Sequence, residues 1–204
     1  MDQKTPGHLP QPQAKTNLYS SIQRVHVKQL NAHLLKKFLK TASLKLTGEW
    51  LLVGGTLLPA VGIDIRATLD IDIIGLGKKE KQQSLELMEI AESLGLSIES
   101  INQAADFFLN RLKYTKADLI PLIEGKRCTI YRPSCFLYIK LKSLRLTETD
   151  LSDCLSYFDF CVTRDKNLDP AMIIKYLEQF KSHQDSDIKK FNLQKLIEEI
   201  GIRS

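Results

Sequence analysis

The stretch from 51 to 75, LLVGGTLLPAVGIDIRATLDIDIIG, restricts the fold more than any other part of the chain. An apolar run ending at Val53 reads as a strand, and Gly54-Gly55 breaks it. A brief helix is expected over roughly 56 to 61, with Gly62 as its stop. A turn through 64 to 68 then leads into a second strand, where Asp70 and Asp72 alternate with Leu69, Ile71 and Ile73. Strand side chains alternate between faces, so the two carboxylates point one way and the apolar residues the other. Strand, glycine pair, short helix and strand in this order exclude a simple helical bundle.

Two adjacent carboxylates on a strand of this buried type repel each other and are costly unless a cation lies between them. Divalent metal is the simplest reason to build such a pair. Oxygen ligands favour Mg2+, with Mn2+ as a substitute, and Asp70 and Asp72 are the metal ligands expected. Gly54-Gly55 is neither a P-loop, since no lysine follows at the required spacing, nor a GxGxxG dinucleotide fingerprint. Glycines between a strand and a helix start permit close backbone approach and leave amides to meet phosphate. Alone the pair would read as a structural turn; an Asp-x-Asp strand within twenty residues turns the reading towards phosphate. Thr56 adds a hydroxyl donor, and Arg66 and Thr68 are placed to position phosphate or to close the loop by hydrogen bonds.

At 204 residues and 23.2 kDa the chain is expected to be one domain, or one domain with a helical annex. Its 43% hydrophobic and 26% charged composition is that of a soluble globular protein. The net charge of +5 permits a polyanionic partner without requiring one. No apolar run reaches the length of a membrane span, and the N-terminal residues lack the apolar core of a secretory signal, so a cytoplasmic protein is expected. Cys128, Cys135, Cys154 and Cys161 form no CxxC pair and have no histidine at zinc spacing, so they read as buried thiols.

Residues 1 to about 16, rich in Pro, Gln and Lys, read as a flexible arm. A basic helix is expected from 18 to about 44, with no acidic residue between Ser21 and Lys45. Its bland reading is a solvated amphipathic face; its functional reading is a surface for RNA or an acidic protein. His26 and His33 fall seven apart on that helix as surface or packing residues. A helix is expected over 78–94, stopped by Gly95, with a short strand over 96–98 and a strand over 106–112. Strands follow over 117–123 and 128–131, and Pro121 assigns the first of them an edge or irregular position. Four helices then complete the chain: 136–146, 150–162, one opened by the Asp169-Pro170 cap and ending near 180, and 191–200 closed by Gly201. Trp50 reads as core, and Tyr157, Phe158 and Phe160 as packing of the helical part.

The glycine pair followed by the Asp-x-Asp strand resembles the nucleotidyltransferase superfamily that includes DNA polymerase beta. Within it, VGGTLLPAVGIDIRATLDIDII is similar to the abortive-infection (AbiEii-type) toxin group. The later PSCFLYIKLKSLRLTETDLSDC also resembles that group, where a lysine-bearing helix precedes an arginine and an Asp-hydrophobic-x-Asp motif. Lys140, Arg145, Asp150, Leu151 and Asp153 match it. The resemblance covers about residues 50 to 160. It implies an α/β fold with a nucleotidyltransferase-like mixed sheet, flanking helices and a C-terminal helical part. The corresponding division is an arm over 1–16, an α/β core with its basic helix over 17–133, and a helical region over 134–204.

By the same resemblance Lys140 faces the triphosphate while Lys142 lies on the outer surface, and Arg145 reaches the same edge. Asp153 either pairs with Lys140 or orients the acceptor, and Asp150 has an alternative role as helix cap. Members with two-metal chemistry carry a third acid on a later strand; Asp118 is the best candidate here, ahead of Glu99 and Glu124. The implied activity is Mg2+-dependent transfer of a nucleotide from an NTP to a hydroxyl on tRNA, another RNA or a protein. Some members act as toxins paired with an antitoxin protein. A noncatalytic nucleotide- or partner-binding module on the same scaffold and a metal-dependent phosphoesterase are the alternatives.

Overall fold

The computed structural model describes residues 30–63 and 68–204. The arm over 1–16, the first part of the basic helix with His26, and Arg66 lie outside the described residues. The first element among the described residues is α1 (Ala32–Lys45), whose N-cap Asn31 accepts from the Leu34 amide at 2.9 Å. Leu34, Leu35, Phe38, Leu39 and Ala42 recur at three- and four-residue spacing and are buried, whereas Lys36, Lys37 and Lys40 are exposed.

The elements that follow are β1 (Gly48–Leu52), α2 (Leu57–Ala60), β2 (Ile71–Gly75), α3 (Lys78–Lys81), α4 (Ser84–Ser93), β3 (Ile101–Asn102) and α5 (Ala105–Leu109). Next come β4 (Leu119–Glu124) and β5 (Cys128–Pro133), then the helices α6 (Cys135–Ser143), α7 (Glu148–Arg164), α8 (Pro170–Ser182) and α9 (Asp187–Arg203). The five strands form one mixed sheet in the order β3-β2-β1-β5-β4. β1 pairs antiparallel with β2 and parallel with β5. The result is a mixed α/β fold, a central sheet flanked by helices with a helical C-terminal region. No helix among the described residues is long and apolar enough to cross a membrane.

Both faces of β1 are covered, and alternation sorts its side chains between two apolar clusters. Trp50 and Leu52 join Ile71, Ile73 and Ile130 and the helices on one face. Leu51 and Val53 join Ile74, Tyr131 and Leu137 on the other. Asp72, between Ile71 and Ile73, therefore belongs to the second face, where the smaller cluster leaves space. β4 lies at the sheet edge with a register shift between Pro121 and Ile123, the position its proline demanded. All four cysteines are buried free thiols.

Four sequence-based expectations are corrected. The helix over 78–94 is two helices, α3 and α4, because Gln83 turns its amide back to Thr47, accepting from the Thr47 N–H at 2.9 Å and donating to its C=O at 3.2 Å. The strand over 96–98 is displaced to β3, after a 3-10 turn at Ile98–Ser100. The strand over 106–112 is the helix α5: Ala105, Leu109 and Leu112 pack on the smaller cluster at helical spacing, and two exposed phenylalanines between them hid the period. Gly201 does not stop α9, which continues to Arg203.

Helix α7 is fastened to β5 by Arg132, which is 7% exposed. Its guanidinium donates to both carboxylate oxygens of Asp165, one at 3.1 Å, and to the Tyr157 hydroxyl at 2.9 Å. Removing one partner of such a pair strands a buried charge. Asp165→Ala is expected to destabilise the protein by about 3–5 kcal/mol, read as a lowered midpoint in equilibrium urea unfolding with an unchanged slope.

Candidate functional site

A cleft of about 350 Å3 opens on the smaller-cluster face of the sheet. Its floor is the glycine turn after β1 and the acidic start of β2, so Gly54, Gly55, Asp70 and Asp72 line one space. β3 supplies a residue that the sequence reading missed. Asn102 lies opposite Asp72 in the parallel β2–β3 register, and its amide nitrogen donates to Asp72 Oδ1 at 2.7 Å. Asn102 Oδ1 accepts from the Ala104 N–H at 2.9 Å, which sets the orientation of that amide.

Gly54 has φ +65°, and a β-carbon there would lie 1.9 Å from Asp72 Oδ2. The missing side chain is what lets the carboxylate rest against the turn. The N–H groups of Gly54 and Gly55 donate to no acceptor among the described residues. Thr56 is fully buried and is not a ligand donor to the cleft, correcting the expectation for it. Its hydroxyl donates to the Asp70 carbonyl and accepts from the Asp72 N–H at 3.3 Å, bolting the glycine turn to the acidic strand. Thr68 lines the cleft and donates to the Asp70 carbonyl at 3.3 Å, the loop-closing role.

Asp70 is exposed just ahead of β2, and Asp72 is half-buried within it. Burial, reinforced by the charge of Asp70, pushes the Asp72 carboxyl up to about 6, against the opposing pull of Lys142, Asn102 and Arg145.

The opposite wall is α6 and the turn after it. Tyr138, Leu141, Lys142 and Arg145 fall three or four residues apart and face the cleft together. Tyr138 donates its hydroxyl to the Gly54 carbonyl at 3.0 Å, anchoring the glycine turn from outside the sheet. Lys142, 8% exposed, donates to Asp150 at 2.9 Å and Asp153 at 2.8 Å. Burial works against its charge, but the hydrogen bonds to Asp153 and Asp150 outweigh it and hold the ammonium above its ordinary pKa. Arg145 grips Asp150 with Nε and Nη2, each at 2.8 Å, while its side chain stays 71% exposed. Burial would raise the Asp150 carboxyl, yet the bonds from Arg145 and Lys142 hold it far below the usual carboxylate range.

The turn joining α6 to α7 creates this network. Leu146 has φ +41°, a conformation that favours glycine, and keeps it while fully packed in the core. Thr147 then caps α7 in a reciprocal box with Asp150, so the helix cap and the charge network share one carboxylate.

Two predicted site residues lie elsewhere. Lys140 and Lys142 exchange the positions expected for them: Lys140 points away from the cleft, donates to the Lys113 carbonyl and stands 5.1 Å from the Phe136 ring. Spacing contained the answer, since Lys142 shares its helix face with Tyr138 and Arg145 and Lys140 does not. Asp118 is no third acid of the cleft. It closes a capping box with Thr115 and accepts from Ser134 Oγ at 3.0 Å, lining a separate cavity. Asp153 pairs with Lys142 rather than Lys140 and sits beneath the cleft wall. Among the described residues, no group of three or more His, Cys, Asp and Glu is placed to hold a metal ion. No protein-family model matches the chain, and neither does any curated protein or solved structure.

The acidic pair has a consequence for stability. The folded protein keeps the Asp72 proton up to about pH 6, whereas an unperturbed aspartate releases it near 3.8, so the contribution of this group to stability declines as pH rises through that window. Asp72→Asn is expected to remove this decline and to be the more stable protein at pH 7 without divalent cation. Thermal midpoints of both proteins from pH 4 to 7 measure the difference.

Proposed function

We propose that the protein is a divalent-metal-dependent nucleotidyltransferase, moving a nucleotide from an NTP to a hydroxyl acceptor. The observation that carries this reading is the shared cleft: the Asp70–Asp72 pair, the Gly54-Gly55 turn and the cations Lys142 and Arg145 line one space. Its chemistry suits a triphosphate with its metal. Mg2+ is commonly held by one or two carboxylates and completes its shell with water and substrate phosphate oxygens. A two-carboxylate site therefore fits the ion when the substrate supplies the remaining ligands. Asp70 and Asp72 would hold Mg2+ or Mn2+, and the ion, when bound, would offset their repulsion and neutralise phosphate charge.

The chain's own groups divide the remaining work. The amides of Gly54 and Gly55 donate to phosphate oxygens at the floor. Arg145 spends two donors on Asp150 and turns the rest of its exposed guanidinium to phosphate. Lys142, locked between two carboxylates, acts through its field and by holding the wall in place. An acceptor hydroxyl attacks the α-phosphorus in line and gives up its proton to solvent, its oxygen forms the new ester bond, and the bond from the α-phosphorus to the bridging oxygen breaks to release pyrophosphate. The exposed lysines of α1 and the net charge of +5 favour an RNA acceptor, tRNA among them, and the resemblance adds a separate antitoxin protein as partner.

A noncatalytic nucleotide-binding module is the second reading, and one observation favours it. The third carboxylate lining the cleft among the described residues is Asp150, which already accepts from Lys142, Arg145 and Thr147. Incubation with RNA, Mg2+ and NTP labelled at the α or the γ position separates the readings. Label from the α position is expected in the acceptor, with Asp70→Asn lowering transfer by about 10²-fold or more. Transfer of γ label alone would mean a kinase, binding without transfer the module, and strand cleavage without nucleotide a phosphoesterase.

A further inference from the structure

The lining of the cleft is chemically mixed, and the reading above accounts for its charged and polar members. Ala104, Ala105, Leu141, Leu144 and the ring of Phe108 make up an apolar share of the same lining. Phe108 is 43% exposed, although burying an aromatic ring is among the larger gains a side chain can make. Its helix, α5, is anchored by Leu109, which is buried, so the residues just before it project outward. The ring of Phe107 meets Phe108 edge-on, with centroids 5.5 Å apart and planes at 81°. The Arg111 guanidinium covers Phe107 in turn, 3.8 Å from its centroid. Phe108 thus has a T-shaped neighbour, and among the described residues no ring stacks parallel to it and no cation lies over it. Elsewhere such faces are used, as in the stacked pairs Tyr157–Phe160 and Tyr176–Phe180.

We propose that Phe108 is the platform on which the base of the bound nucleotide stacks, in the same cleft whose charged and polar groups hold the phosphates. This inference rests on the nucleotide reading of the same cleft. A flat π surface beside an anion-binding floor suits a nucleoside phosphate, which is flat and apolar at one end and charged at the other. Alanine and leucine side chains accompany Phe108 in the lining, and the Asn102 amide is already engaged with Asp72 and the Ala104 N–H. Stacking strength then sets the preference, purines ahead of pyrimidines, with weak discrimination within each class. Phe108 is a specificity-determining contact and not part of the phosphate chemistry.

Binding of ATP, CTP and inorganic tripolyphosphate in Mg2+, measured by calorimetry on the full chain, tests the assignment. The wild-type protein is expected to bind ATP more tightly than CTP, and both more tightly than tripolyphosphate. Phe108→Ala is expected to weaken ATP by roughly 10- to 100-fold and to leave tripolyphosphate unchanged; Phe108→Tyr, which keeps the ring, restores ATP binding. Equal ATP affinity in wild type and Phe108→Ala overturns the stacking role while tripolyphosphate binding leaves the phosphate reading standing. A parallel loss of ATP and tripolyphosphate in Phe108→Ala also overturns it, since it marks a structural effect. Wild-type protein that binds neither ligand overturns the nucleotide reading, and the platform with it.

Discussion

The carboxylate of Asp72 lies against the backbone of Gly54, and the rest of the cleft is arranged around that contact. Any β-carbon at 54 would come within 1.9 Å of Asp72 Oδ2, so the turn and the acid occupy each other's only available space. Three independent hydrogen bonds fix the approach. The Val53 N–H donates to the Asp72 carbonyl at 2.8 Å, the Thr56 hydroxyl accepts from the Asp72 N–H, and Tyr138 holds the Gly54 carbonyl from α6. The sheet, the glycine turn and the first helix of the C-terminal region are thus tied at one point. A positive φ at 54 is the backbone condition for all of it.

Electrostatics then divides the site into a part that is balanced and a part that is not. Lys142 and Arg145 carry two positive charges, and Asp150 and Asp153 answer with two negative ones in direct contact. Each ion there is paired and hydrogen-bonded, the condition under which buried charge is tolerated. Asp70 and Asp72 sit outside that balance. Asn102 offers Asp72 a neutral hydrogen bond, but no ion pair reaches either carboxylate at contact distance among the described residues. Burial first, and the charge of Asp70 second, raise the Asp72 pKa. A proton relieves the imbalance, and a bound cation would do the same.

Much of this was legible in the residues, and what was not has physical causes. Gly54-Gly55 and Asp72 were readable because period-two alternation and glycine breaks are local signals; Leu69 and Asp70, expected on the same strand, lie ahead of β2, with Leu69 exposed rather than on the apolar face. The edge position of β4 followed from Pro121 alone. Helix α5 was misread because Phe107 and Phe108 are exposed, so apolar character there did not report burial. The exchange of Lys140 and Lys142 has a different origin: motif matching assigned the charge, whereas helical phase relative to Tyr138 decides which lysine faces the cleft. Asp118 was placed by its order in the chain, but its role as the partner of Thr115 and Ser134 depends on how the start of β4 meets the start of α6. Asn102 lies on a two-residue strand with no local signature, and only the β2–β3 register brings it to Asp72.

The shared use of Asp150 sets it apart from Asp70 in how much of the structure depends on each acid. Asp150 is fully buried, closes the cap of α7 and holds both cations of the wall, so its loss would alter helix, network and cleft together. Lys142 is bound into the same unit, and removing it would leave two buried carboxylates without their partner. Asp70 stands apart from this unit. Its side chain is exposed, and the hydrogen bonds of the residue to Thr56 and Thr68 run through its backbone carbonyl, which an asparagine retains. A change confined to that carboxylate therefore alters the charge offered to a cation while the turn, the strand and the α6 wall keep their positions. The acid most bound into the structure and the acid least bound into it line the same cleft, because one closes a helix cap and the other lies just ahead of a strand.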